Sequence, residues 1–216
     1  MPAPIAVLSG IALRRPGTLV LRQVDLELAS GEAVGLFGAN GSGKTTLLRV
    51  LATLLRPSSG TGTVLDAALG TAQVERVRPR IGLVAHEPAL APHLSLAENL
   101  ELVADLAGLP RAAAVAALGD VGLEGAASRL VVHCSNGMKR RAEVARILLT
   151  APDLLLLDEA HVGLDPAAGR LVAHTVESVT ARGGAVVLVS HERERVATIV
   201  NRAVELRDGV LEAVPA

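Results

Sequence analysis

An α/β fold with a mainly parallel sheet is the class this sequence predicts, on three observations. Ala33-Val34-Gly35-Leu36-Phe37 is an unbroken apolar or glycine run of strand length, followed at once by a glycine-rich turn and the helical run Thr46-Leu47-Leu48-Arg49-Val50-Leu51. Leu154-Leu155-Leu156-Leu157 and Ala185–Val189 repeat the apolar strand pattern, ending in Asp158-Glu159 and Ser190-His191. Such runs suit strands buried on both faces, the condition of a parallel sheet. Val24-Asp25-Leu26-Glu27-Leu28 alternates instead, and with 11–13 and 19–21 it predicts a small antiparallel sheet near the N-terminus.

Taken in order, the first helix is expected to stop at Arg56-Pro57-Ser58-Ser59-Gly60. Residues 61–65 and 81–84 are short strands. From His86 to Gly125 the texture turns helical. Ser95-Leu96-Ala97-Glu98 is a capping box, Leu96, Leu100, Val103 and Ala107 share a helix face, and Pro110 opens a second helix. No long linker flanks this block, so residues 1–216 read as one domain with a helical subdomain inserted at about 86–145. Ser135-Asn136-Gly137-Met138 precedes a helix bearing Val144, Ile147 and Leu148. A helix over 166–180 and a closing hairpin over 203–211 complete the chain.

Composition narrows the function. In 216 residues half are apolar and the net charge is −1, which fits neither a disordered chain nor a nucleic-acid-binding polycation. One cysteine, Cys134, permits no internal disulfide, and six scattered histidines give no zinc spacing. His93, His133, His161 and His174 are expected at the surface or its boundary. The start, Met1-Pro2-Ala3-Pro4-Ile5, lacks the positive charge of a secretory signal, and no apolar run reaches membrane-spanning length. Trp and Tyr are absent and Phe37 is the one aromatic, so the core is built from Ala, Leu, Val and Ile.

The chemistry begins at Gly38-Ala39-Asn40-Gly41-Ser42-Gly43-Lys44-Thr45, the G-x-x-x-x-G-K-[ST] spacing between a strand and a helix. Glycines let successive N–H groups turn into a nest around a phosphate, and the helix that follows contributes its N-terminal N–H groups. Residues 38–45 with Thr46 are thus candidates for binding a nucleoside triphosphate, with Lys44 reaching the β/γ oxygens and Thr45 ligating Mg²⁺. Asp158, at the carboxyl end of an apolar strand, is placed to hold Mg²⁺ opposite Thr45. Glu159, one residue on, would face the terminal phosphate and polarise an attacking water.

The series of phosphate loop, Ser-x-Gly helix start, leucine run with Asp-Glu, Gly163-Leu164-Asp165 and Ser190-His191 resembles an ABC-type ATPase over nearly the whole chain. The resemblance implies that Ser135, Asn136 and Gly137 form a signature motif binding the γ-phosphate on an opposite subunit. It further implies that Asp165 links the two sites of a dimer and that His191 is the switch histidine, catalytic with Glu159. His86 stands where most members have a glutamine that contacts Mg²⁺ and reports to the membrane subunit. The implied partners are an integral membrane transporter subunit and a second ATP-binding subunit, identical or not, at the cytoplasmic face of the cell membrane; no nucleic acid is expected. The alternatives are export of a different cargo, such as a drug or lipid, and a soluble ABC ATPase of DNA maintenance or translation, for which the long coiled coil of the former and the second nucleotide domain of the latter are missing. A small-molecule kinase leaves Ser135 and His191 unexplained. This chain departs from the family pattern at Cys134-Ser135-Asn136-Gly137-Met138, at Ala160, at His86, and around Arg14-Arg15-Pro16, where no aromatic is present to stack on adenine. There Arg or Leu13 must serve, or base affinity is weak. The run Val84-Ala85-His86-Glu87-Pro88, the missing adenine aromatic and the Ser-x-Gly-Met signature resemble the branch that supplies ATP-binding subunits for haem export in cytochrome c biogenesis.

Overall fold

A computed structural model describes residues 3–159, 166–191 and 193–214. In chain order it has β1 (Ala6–Arg15), β2 (Thr18–Leu28), β3 (Ala33–Phe37), α1 (Lys44–Leu51), β4 (Ser59–Val64), β5 (Ala67–Ala68), α2 (Val74–Val77) and β6 (Ile81–Val84). Then follow α3 (Leu96–Leu106), α4 (Arg111–Asp120), α5 (Asn136–Thr150), β7 (Leu154–Asp158), α6 (Pro166–Ala181), β8 (Ala185–Val189), α7 (Arg193–Val196), β9 (Arg202–Arg207) and β10 (Val210–Val214). The chain divides into two compact units, Met1–Leu83 with Pro152–Glu159 and Val176–Ala216, and Val84–Ala151 with Ala160–Thr175.

The first unit holds two sheets. One has the order β2-β1-β4-β5, and the other β10-β9-β3-β8-β7-β6. In the second sheet β3 runs parallel to β8 and β9, and β7 parallel to β8, while β9 and β10 form the expected antiparallel hairpin. Strands β3, β7 and β8 are buried at every position, which is why they read as unbroken apolar runs. One core joins both sheets and α1: Ile11, Leu21 and Leu28 from the antiparallel sheet, Leu36, Leu154 and Val187 from the parallel one, and Leu47, Leu48 and Leu51 from the helix. Each such side chain contributes about 1.5–3 kcal/mol on leaving water, so aliphatic residues alone suffice to anchor the loop before α1.

Among the boundaries that differ from expectation, two have a clear local reason. Helix α1 ends at Leu51, not near Pro57. Thr53 is buried with a left-handed φ of 59°, and Arg78 donates to its hydroxyl at 3.2 Å and its carbonyl at 3.1 Å, so a distant side chain takes over where helix bonds stop. Ser59 and Gly60 fall inside β4 and not in the turn before it. There Gly60 has φ 91°, and a Cβ would lie 2.4 Å from the Gly10 carbonyl oxygen, so only glycine permits the close pairing with β1.

The second unit packs α3, α4 and α5 through Leu96, Leu100, Leu118 and Ile147, all fully buried. Ser95 caps α3 as expected: its hydroxyl accepts from the Glu98 N–H at 3.1 Å, and the Glu98 carboxylate accepts from the Ser95 N–H at 2.7 Å. The buried face of α3 is Leu96, Asn99, Leu100 and Ala104; Val103 is only partly buried and Ala107, beyond the last turn, is exposed. Pro110 stands at the N-cap of α4. No described helix is long and apolar enough to cross a membrane. Ser95→Ala removes one half of the reciprocal cap and should cost about 1 kcal/mol, read as a lower urea midpoint with unchanged slope.

Candidate nucleotide site

The first unit brings together most of the predicted nucleotide residues. Strand β3 delivers the chain to Gly38, whose φ is 141°; Gly41 and Gly43 follow at 80° and 109°. Side chains are poorly tolerated in these conformations, and at Gly38 a Cβ would lie 2.4 Å from the Leu206 carbonyl oxygen. Gly43 caps α1 without a side chain, so no side chain occupies the N–H groups of the first turn. Lys44 is folded back into the loop, 6% exposed, with Nζ donating to the carbonyls of Gly38 at 2.8 Å and Ala39 at 2.9 Å. Burial pulls its pKa below the ordinary lysine value, while the charges of Glu159 and Asp158 oppose that shift. Ser42 Oγ is buried with no hydrogen-bond partner among the described residues. A loop with an orphaned hydroxyl, a buried cation and uncapped helix N–H groups fits a polyphosphate. Ala39, Asn40 and Gly41 are exposed, and Thr46 is buried.

Thr45 and Asp158, 113 positions apart, meet directly: the Thr45 hydroxyl donates to Asp158 Oδ2 at 2.8 Å. The hydroxyl keeps its lone pairs, and the carboxylate has further ones, so the pair is the donor set a hard divalent cation such as Mg²⁺ prefers. Glu159 leaves β7 with a left-handed φ of 55°, its N–H donating to the Val189 carbonyl at 3.2 Å. That turn carries its carboxylate to His191, whose Nε2 lies 2.5 Å from Glu159 Oε1. A carboxylate held by an imidazole can orient a water and take up its proton.

The other predicted residues lie in the second unit or outside the described chain. Ser135 is the N-cap of α5, its hydroxyl accepting from the Met138 N–H at 3.2 Å, and Asn136 and Gly137 form the exposed first turn. His86 is exposed in the segment after β6. Asp165 and His161 fall outside the described residues. His93, His133 and His174 are exposed, as expected.

Leu13 is a correction. It is 5% exposed within the aliphatic core, because β1 alternates Ile11 and Leu13 inward, so it is unavailable to a base. Beside the phosphate loop lies instead a cleft of about 470 Å³ lined by Thr18, Leu19, Val20 and Arg22 of β2, residues 39–42, and residues 205–209 around the β9–β10 turn. Sequence reading also missed Arg193. Its guanidinium sits 4.9 Å from the centre of the Phe37 ring and donates to Glu205 at 2.6 Å, tying the segment just after His191 to the end of β3. The signal was the solitary aromatic immediately before the loop.

A buried parallel strand, a glycine loop closing on a lysine, and a second strand end meeting the loop threonine define a P-loop nucleoside-triphosphatase fold. Residues 21–162 match the ABC transporter family. The chain is 35% identical to a macrolide export ATP-binding/permease protein of Burkholderia pseudomallei over 97% of its length and 34% of that protein's. It is 35% identical to Nod factor export ATP-binding protein I of Cupriavidus pinatubonensis, covering 93% of this chain and 63% of that one. With a molybdenum import ATP-binding protein of Mycobacterium tuberculosis the identity is 36%, over 88% and 56%. The chain therefore spans about a third to under two-thirds of the lengths of these curated relatives. Among solved structures, an ATP-binding subunit of an ABC transporter superposes with a TM-score of 0.88 at 26% identity, covering 97% of this chain and 90% of that one. A dimeric ATP-binding cassette bound to ADP and Pi in a post-hydrolysis state gives 0.87 at 25% identity, covering 98% and 99%. The chain belongs to the ABC transporter family, as an ABC-type ATPase domain.

Gly38→Ala tests the loop geometry. It should destabilise the fold by about 1–3 kcal/mol and abolish binding of a fluorescent ATP analogue, measured by titration.

Proposed function

We propose that this chain binds and hydrolyses MgATP as the energy-supplying subunit of a membrane transporter. The observation that carries the reading is the Thr45–Asp158 hydrogen bond of 2.8 Å, because it joins the loop helix to a second strand end where phosphate and metal would meet. Residues 38–46 bind the triphosphate, their backbone N–H groups and Lys44 gathering the β/γ oxygens; Lys44 exchanges its two carbonyl partners for phosphate. Thr45 and Asp158 would hold Mg²⁺, and the chemistry it would supply there is neutralisation of charge on the phosphate oxygens. Glu159, oriented by His191, positions water and accepts its proton. His86 stands where the resemblance places a glutamine that contacts Mg²⁺ and reports to the membrane subunit, and that role is assigned to it here.

The active species is a head-to-tail dimer, in which Ser135, Asn136 and Gly137 of one subunit close over the γ-phosphate bound by the other, and Asp165 links the two sites. This rests on family membership and on the dimeric relative bound to ADP and Pi. A separate integral membrane subunit, docked on the exposed segment around His86, Leu90, Pro92 and Leu94, would hold the chain at the cytoplasmic face of the membrane. Cargo is less constrained. The relatives named above export macrolides or Nod factor or import molybdenum, so similar ATP-binding chains serve dissimilar cargoes. Haem export is favoured here by the His86-Glu87-Pro88 run and by Met138 after Ser-x-Gly.

Three outcomes are expected. Lys44→Ala should lower ATPase activity about 10²–10³-fold; unaltered turnover in a phosphate-release assay would remove the assignment. Glu159→Gln keeps size and hydrogen bonding but not basicity: ATP still binds, phosphate release collapses, and a longer-lived ATP dimer appears by size-exclusion chromatography. Mixing Lys44→Ala with Ser135→Arg subunits should restore one competent site per heterodimer, whereas closure of each mutant around ATP as a full homodimer would sink the shared-site arrangement.

A further inference from the structure

The segment from Ala85 to Leu94 has neither helix nor strand, so its backbone groups need partners from elsewhere. Buried polar side chains of the same unit supply them. Arg140, in the second turn of α5, donates through Nη1 to the Ala85 carbonyl at 2.8 Å and through Nη2 to the His86 carbonyl at 2.9 Å. Nη1 also meets Glu143 Oε2 at 2.8 Å, and the other oxygen of Glu143 accepts the Ala89 N–H at 3.0 Å. The two side chains are 10% and 0% exposed. Further along, Asn99 accepts the Ala91 N–H at 2.7 Å and donates to the Ala91 carbonyl at 3.2 Å. With the backbone held from beneath, the residues His86, Glu87 and Ala89 are exposed.

Burying an ion pair is no economical way to stabilise a helix face, since a well-packed apolar pair often does as well. Burial pushes the Glu143 carboxyl above the usual carboxylate range, against the pull of the Ala89 N–H and of Arg140 and Arg146. What charges add over leucine or valine is direction: two carbonyls and one N–H are fixed at once. We propose that Arg140 and Glu143 are positioning residues that fasten the His86 loop to the helix carrying Ser135, so that His86 is presented in one place. The consequence for hydrolysis rests on the role given to His86 above; the fastening itself does not.

The test is the variant R140M/E143L, which swaps the ion pair for an apolar one of similar bulk. Its melting temperature should stay close to wild type, while amide hydrogen exchange at residues 85–91 accelerates by about tenfold or more. Turnover of ATP should fall about tenfold, with KM changed by less than about twofold, as expected for a displaced group that leaves the phosphate loop intact. His86→Ala should cause a similar loss, and adding it to R140M/E143L should cause none beyond that, because both act through the same group. Arg140→Lys, which keeps the charge but lacks the two-pronged geometry, should fall between; it carries the same comparison if the double variant does not fold. Unchanged exchange at 85–91 would overturn the fastening. Unchanged turnover, or losses that add with His86→Ala, would overturn the action through His86. Lys44→Ala run alongside keeps the cases apart: hydrolysis persisting there undoes the ATPase reading, while the exchange result stands by itself.

Discussion

The arrangement of the nucleotide site depends on the parallel register of three strands. Leu36 of β3 lies opposite Val189 of β8, and Val189 lies opposite Asp158 of β7, so the three strands run out at one level. The residues that follow are Gly38 to Lys44, Ser190-His191 and Glu159, and they emerge side by side at the carboxyl edge of the sheet. In an open α/β sheet that edge is where ligands collect. A one-residue slip of β7 would turn Asp158 to the other face and undo its bond with Thr45. The full burial of these strands is what holds the register, and on one face their alternate residues Leu36, Leu154, Leu156, Val187 and Val189 pack into the aliphatic core.

Charge is buried in both units, under different rules. Lys44 is desolvated but close to two carboxylates and bonded to two carbonyls, an arrangement that stores a cation where anionic oxygens can replace the carbonyls. Arg140 and Glu143 neutralise one another and spend their remaining hydrogen-bonding capacity on the backbone of residues 85–89. The first group belongs to the chemistry of the loop, and the second is scaffolding. Glu159 combines the two, with a left-handed backbone that costs conformational energy and an imidazole that holds its carboxylate.

A core without Trp or Tyr gives up the large, flat surfaces that usually fill gaps and stack on bases. Here β-branched and leucine side chains fill the space between the sheets, and the lone Phe37 is kept for the end of β3. Gly35 makes room for it: a Cβ there would come within 2.9 Å of the ring. Arg193 covers the ring and pairs with Glu205, linking the segment just after His191 to β3 and β9. The cleft beside the phosphate loop is lined by Arg22 and Arg207, by aliphatic Leu19, Val20 and Leu206, and by the acidic Glu205 and Asp208.

Local order was legible without coordinates wherever one short-range rule dominated. Strands β3, β6 and β8 have the expected bounds because continuous apolar runs bounded by turn residues leave few alternatives. The capping box at Ser95 and the loop around Lys44 were readable for the same reason, each being complete within a few residues. The α/β class and the placing of Asp158 opposite Thr45 followed from apolar strand runs and the residues at their carboxyl ends. Other features needed tertiary structure, since they depend on partners far away in sequence. Arg78 bonds Thr53, just past α1, from 25 positions downstream, Gly10 dictates Gly60, and the pleat of β1 sends Leu13 into the core. Nothing in composition or periodicity singles out Arg140 and Glu143; α5 turns that face inward onto residues 85–89, where the backbone's hydrogen-bonding demand gives them their role.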